Sequence, residues 1–211
     1  LRKQLVEQNG GSKMAPKAKI DLNTILTAAT DIVDTDGVHS LTLATLAKKL
    51  KIRPPSLYNH VDGLQGLQRA LAIYGLEELY THLSQAAIGR SKDEAIHAIS
   101  KAYMSFARTH PGLYEATLWA NADSNNAEFN LISSKIVDLV VRVLQAYDLD
   151  DEESIHASRG LRSILHGFAS LEQKNGFGIP IDLDVSIGLI IDTFLAGIHK
   201  MKSQKIENHP K

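Results

Sequence analysis

The chain has 211 residues, 44% of them hydrophobic and 22% charged, with a formal net charge of −1 at pH 7. These totals describe an ordinary globular protein and exclude one that is basic throughout, though not a local basic patch of the kind nucleic acid requires. The absence of cysteine excludes a disulfide framework, a thiolate zinc site and a cysteine nucleophile, and no apolar run approaches the roughly 20 residues of a membrane span.

Residues 1–19 are expected to be a flexible arm or an appended segment, because "LRKQLVEQNGGSKM" breaks at Gly-Gly-Ser before Met14. The first helix is predicted over Asp21–Thr35, where Ile25, Ala28, Ala29, Ile32 and Val33 follow i, i+3, i+4, i+7, i+8 spacing and Gly37 ends the run. Thr42 is the expected cap of a second helix, with Leu41 and Leu46 placed as a hydrophobic staple. Lys48 and Lys49 stand on its outer side, and Lys51 lies just past its end.

"RPPSLYNHV", Arg53 to Val61, follows. Proline inside a helix costs about 3 kcal/mol. In the first turn, however, the missing N–H has no intrahelical partner, so Pro54 and Pro55 read as a rigid helix start, with either at the first position. Leu57 and Val61 turn inward, which leaves Ser56, Tyr58, Asn59 and His60 outside. The tight "LKI" turn before it gives helix-turn-helix spacing, and the positive end of the helix dipole lies at Arg53–Ser56. Tyr58 and His60 carry donors suited to phosphate oxygens, while Arg53, Ser56 and Asn59 suit base edges.

Asp62 with Gln65, and Ser91 with Glu94, predict capping boxes for a long helix to Gly89 and for the helix in "KDEAIHAISKAYMSFARTH". His110-Pro111 opens a short helix through Trp119, "NADSNN" is a polar loop, and Ala127–Tyr147 is helical again. Asp150 to Glu153 open a helix running to about Asn175, and after "GFGIP" the last helix covers Val185–Met201. No segment alternates with period two between hairpin turns. The chain is therefore predicted to be all-α. An N-terminal three-helix helix-turn-helix domain would occupy residues 20–67, and a larger helical domain for effector binding and dimerisation would occupy residues 68–211.

Tyr103, Phe106, His110, Tyr114, Trp119, His166 and Phe168 are either ordinary core or the lining of an apolar pocket with a few polar tips. Gly160, Gly167 and Gly188 cost helix propensity, which points to close helix approach. With Ala157, Ile164, Leu171, Ile191, Leu195 and Ile198 they form the expected four-helix interface between two copies. No H-E-x-x-H pair, Glu-x-x-His pair, phosphate loop or serine elbow occurs, so no catalytic residue, metal or cofactor is expected.

The run "GVHSLTLATLAKKLKIRPPSLYNHVDGLQGL" resembles the DNA-binding domain of the TetR family of transcriptional regulators, on Thr42, Ala47, Ile52, Leu57, Tyr58, His60 and Leu67. The resemblance implies that Thr42, Lys48, Lys51, Arg53, Pro54, Pro55, Ser56, Tyr58, Asn59 and His60 face DNA. Three positions depart from the family pattern: Lys51 where glycine is usual, Arg53 where a small hydroxyl is usual, and Leu64 where a lysine commonly meets the phosphate backbone. "LRSILHGFASLEQKNGFG" resembles the C-terminal domain of the subgroup named for a Trp-His-Gly pattern, matched to Trp119, His166 and Gly167.

Together these resemblances imply a cytoplasmic homodimeric repressor on a near-palindromic double-stranded operator, with no membrane association. A small-molecule effector would release it by tilting the Asp62–Gly89 helix. Two alternatives stand beside that reading: a helical ligand-binding dimer without useful DNA affinity, and an all-α enzyme using the C-terminal pocket.

Overall fold

The computed structural model describes residues 20–119 and 126–208, with side chains up to Met201. The expected arm and most of the "NADSNN" loop lie outside the described residues. Among the described residues the chain is all helix, without a strand. The helices are α1 (Leu22–Asp36), α2 (Leu43–Lys49), α3 (Gly63–Ala87), α4 (Lys92–Thr109), α5 (Pro111–Ala116), α6 (Ala127–Gln145), α7 (Asp151–Gln173) and α8 (Leu183–Asn208), with short 3-10 segments at Val38–Ser40 and Pro54–Asn59. No helix among them is long and apolar enough to cross a membrane.

Local chemistry accounts for most helix ends. Asp21 accepts the Thr24 N–H at 2.8 Å and so caps α1, and Gly37, at φ 81°, ends that helix by donating its N–H to the Val33 carbonyl. Thr42 caps α2 through a reciprocal pair: the Thr45 N–H donates to Thr42 Oγ1 at 3.0 Å, and the Thr42 N–H donates to Thr45 Oγ1 at 2.9 Å. Leu41 and Leu46 are both buried, as a staple requires. Asp150 and Glu153 make the same reciprocal exchange at the start of α7, at 2.9 and 3.0 Å.

The boxes expected at Asp62 and Ser91 do not form: both residues hold the cap position without a side-chain hydrogen bond. In each case the next residue takes a left-handed conformation, Gly63 at φ 63° and Lys92 at φ 50°.

α3 packs against α1, α4, α5 and α6. The boundary placed between residues 67 and 68 falls inside this continuous helix, where Leu67 and Leu71 are fully buried. α7 lies against α4 and α6, and α8 against α4 and α7. Polar ties fasten this bundle. Arg108 of α4 binds Glu172 of α7 at 2.9 Å and Asp184 of α8 at 2.6 Å, while Tyr147 Oη donates to Asp93 at 2.8 Å beside His199 of α8. α5 seats on α1 so closely that a Cβ on Gly112 would overlap the Val33 carbonyl.

Candidate nucleic-acid interface and effector cavity

The turn after α2 explains how the exposed segment is presented. The Ile52 N–H bonds back to the Ala47 carbonyl at 3.0 Å and the Lys51 N–H to the Lys48 carbonyl at 3.1 Å. This is a Schellman closure, and it needs a left-handed residue at its hinge. Lys51 fills that place at φ 55°, which is the physical content of the glycine the TetR resemblance leads one to expect there.

From Arg53, at φ −85° and ψ 139°, the chain enters a 3-10 helix over Pro54–Asn59, with Pro54 at its first position. The short helix expected here is thus a tighter 3-10 turn, and of the two prolines Pro54 stands first. Two prolines remove the first amide donors, and the first one available, Ser56 N–H, reaches only to Arg53 O at 2.9 Å. Leu57 and Val61 are buried, whereas Arg53, Pro54, Pro55, Ser56, Tyr58, Asn59 and His60 are exposed, Tyr58 at 62%. Thr42, Lys48 and Lys51 are exposed on the adjoining helix and turn. Lys49 is drawn toward Asp31 of α1 at 3.4 Å.

A cavity of about 530 Å³ opens between α3, α4, α5, α6 and α7. Leu76, Leu79 and Leu83 of α3 form one wall, and Phe129, Ile136 and Val140 of α6 form another. Three of the seven expected pocket residues meet there. Tyr103 and Tyr114 Oη lie 2.8 Å apart, and Tyr114 Oη lies 2.6 Å from His166 Nδ1. Burial raises both phenols above their ordinary 10, so both are protonated donors across the physiological range.

The other four lie elsewhere. Phe106 is buried between the rings of His82 and His110. His110 turns toward Asp34 of α1 at 2.8 Å, and Phe168 stacks on Phe177 with ring centroids 4.7 Å apart. Trp119 is half-buried against the main core. Sequence reading missed Arg162, which lines the cavity one helical turn before His166. The i, i+4 spacing of the two was the available signal.

The expected interface residues divide in two. Ala157, Ile191, Leu195 and Ile198 face the interior of their own chain and are buried there, so they are not free to meet a second copy. Ala157 lies on the inner side of α7, and Ile191, Leu195 and Ile198 form the inner stripe of α8, which carries apolar residues on two faces. Gly160, Ile164, Gly167 and Gly188 are half-exposed and Leu171 is exposed. A Cβ on Gly160 would meet Phe194 of the same chain at 3.6 Å, whereas Gly167 and Gly188 border open space. Val185, Leu189 and Ile190 join them as exposed apolar residues of α8.

A family model described as "Tetracyclin repressor-like, C-terminal domain" matches residues 96–194. The chain is 39% identical to the HTH-type transcriptional regulator YobS of Bacillus subtilis (strain 168), over 88% of its own length and 96% of that protein's. It is 35% identical to the HTH-type transcriptional regulator Rv0681 of Mycobacterium tuberculosis, over 81% of its length and 77% of the relative's. A TetR variant from Acinetobacter baumannii AYE, crystallised in complex with minocycline, shares the fold at TM-score 0.67 and 22% identity, over 87% of this chain and 99% of that one.

Proposed function

The chain belongs to the TetR family of transcriptional regulators, and on that premise we propose that it acts as a homodimeric repressor released from its operator by a small molecule. It is a DNA-binding regulator and not an enzyme. We place its working site in the cytoplasm, assign the C-terminal domain to the Trp-His-Gly subgroup on Trp119, His166 and Gly167, and divide the chain into a reading head over residues 20–67 and an effector domain beyond.

The 3-10 segment with Tyr58, Asn59 and His60 would enter the major groove of one half-site. Arg53, Ser56 and Asn59 would read base edges, and Thr42, Lys48, Lys51, Tyr58 and His60 would hold phosphates. Half-exposed and exposed residues of α7 and α8 (Gly160, Ile164, Gly167, Leu171 and Gly188) would meet their copies across a two-fold axis.

The observation that carries the release mechanism is the span of α3. Leu67 and Leu71 lock its beginning into the core beneath the reading head, and Leu76, Leu79 and Leu83 form a cavity wall further along the same helix. A ligand that fits the cavity in only one tilt of α3 changes the separation of the two reading heads. It shifts the equilibrium by its differential affinity for the two states.

Fluorescence anisotropy against DNA from upstream of the protein's own gene, at two salt concentrations, tests this reading. Binding should weaken in Tyr58→Phe and Arg53→Ala, and its log–log dependence on salt should have a slope of about −0.9 per phosphate neutralised. No binding at low salt to that DNA or to random DNA would refute it.

Leu64 keeps a second reading open, a ligand-binding dimer with little DNA affinity, because a 37% exposed leucine stands where the family commonly has a lysine. Leu64→Lys should then convert negligible binding into measurable binding. Under the principal reading it only steepens an existing salt slope, by about 0.9.

A further inference from the structure

The cavity has a chemical signature narrower than "apolar". Among the described residues no aspartate, glutamate or lysine lines it, and Arg162 is the one lining residue with a full charge. Arg162 is exposed at the opening and has no carboxylate partner among the described residues, unlike Arg108, which binds two. Its charge reaches the Tyr103 and Tyr114 phenols and acts on both in the direction that favours a negative neighbour.

The Tyr103–Tyr114–His166 chain supplies the second observation. With a neutral imidazole the three groups carry three polar hydrogens, and their two mutual hydrogen bonds use two of them. If His166 Nδ1 donates to Tyr114, one phenol O–H, on Tyr103 or Tyr114, is left unspent, and Nε2 is left as an acceptor. If His166 Nδ1 accepts, the unspent hydrogen sits on Nε2. Either tautomer leaves one donor over. Thr117, just past the end of α5, donates its hydroxyl to the Tyr114 carbonyl at 2.7 Å. The polar corner therefore holds a cation and a surplus donor, and the rest of the lining is leucine, isoleucine, valine and phenylalanine with the neutral side chains of Asn130, Ser133, Ser158 and Ser163.

We propose that the cavity takes an amphipathic organic anion, a compact apolar body bearing one carboxylate- or sulfonate-like head. The body lies between α3 and α6, and the head lies against Arg162 and the free donor of the Tyr103–Tyr114–His166 chain. At about 530 Å³ the space suits a body of one or two fused rings or a medium alkyl chain rather than a nucleotide or a peptide. A cationic ligand finds no counter-charge among the described lining residues, and a neutral one leaves the guanidinium unused. The inference rests on the regulator reading only for the word effector, since the binding preference holds whether or not DNA is released.

The test uses the full chain and a matched pair of fluorescent probes: anilinonaphthalene sulfonate, and N-phenylnaphthylamine, which has the same rings without the anion. The sulfonate should bind more tightly. Arg162→Gln should weaken it by about tenfold, the effect of losing one charge-assisted contact, while leaving the neutral probe within about twofold. Arg162→Lys should restore part of the loss. Ile136→Trp, which fills the space, should abolish both.

Equal or tighter binding of the neutral probe overturns the proposal, as does an Arg162→Gln protein that holds the sulfonate unchanged. Sulfonate binding that survives Ile136→Trp also overturns it, because the anion would then sit outside the cavity. Operator anisotropy on the same samples separates the two claims. A chain that prefers the anion but ignores DNA contradicts the regulator reading alone, and one that binds DNA without the charge preference contradicts this inference alone.

Discussion

Asp34, near the end of α1, accepts the backbone N–H of Leu113 at 2.9 Å with one carboxylate oxygen and holds His110 Nδ1 at 2.8 Å with the other. The opening turn of α5 is thereby fastened to the first helix of the reading head. The next residue along, Tyr114, belongs to the cavity wall. A displacement of Tyr114 by a ligand has a short, stiff path to α1, parallel to the longer one through α3.

Asp34→Ala leaves the buried Leu113 amide without an acceptor, at a cost of about 1–3 kcal/mol. Urea unfolding should register that loss. In the folded fraction, DNA affinity should respond less to a cavity ligand while the ligand's own affinity is unchanged. A variant of normal stability, or one with undiminished coupling, would show that the contact is incidental.

Lys51 occupies the left-handed hinge of the α2 closure, at φ 55°. The conformation costs an ordinary residue about 1–2 kcal/mol, partly offset by the greater backbone entropy glycine loses on folding. Lys51→Gly is therefore expected to stabilise the chain by up to about 1 kcal/mol in thermal or urea unfolding. In DNA binding the same substitution should flatten the salt slope by about 0.9 if the lysine meets a phosphate. The two effects are read in separate assays, so one can fail without the other.

Asp93 offers a pH test. Burial raises its carboxyl, but the hydrogen bonds from Tyr147 and His199, with the charge of His199, together outweigh that and hold it below its ordinary 3.8. A depressed folded-state value contributes stability above the unfolded value and loses it as pH falls through the folded one. Tyr147→Phe removes one of the lowering bonds. It should cost about 1 kcal/mol at pH 7, given that Asp93 is half-exposed. That gap between wild type and variant should narrow below pH 3.8. A gap independent of pH would mean that the tyrosine contributes packing alone.

Leu189 is 61% exposed and Val185 56% exposed on the outer side of α8, next to the open space at Gly188. Leu189→Glu places a charge in the proposed dimer seam and should produce monomers in sedimentation equilibrium while helical content stays unchanged. Ile191→Ala, on the inner side, should instead lower stability by about 2–5 kcal/mol with no direct effect on assembly. If Leu189→Glu remains dimeric, the seam lies elsewhere.

What the sequence by itself determined is what depends on near neighbours along the chain. The i, i+3, i+4 stripes set the helices, Thr42 and Asp150 capped two of them, and the paired prolines forced a rigid start that exposes Tyr58, Asn59 and His60. Each of these rests on atoms within a turn or two of one another. At the two caps that do not form, the residue after the cap is left-handed, Gly63 and Lys92.

Only the tertiary structure decided which expected residues share a place. Tyr103, Tyr114 and His166 come from three different helices, and no spacing along the chain joins them. Asp34 and Leu113 are paired across the same kind of gap. α8 carries apolar residues on opposite sides, and periodicity identifies a stripe without saying which side the core will cover. That choice belongs to α4 and α7, whose surfaces bury Ile191, Leu195 and Ile198 and leave Val185 and Leu189 to solvent.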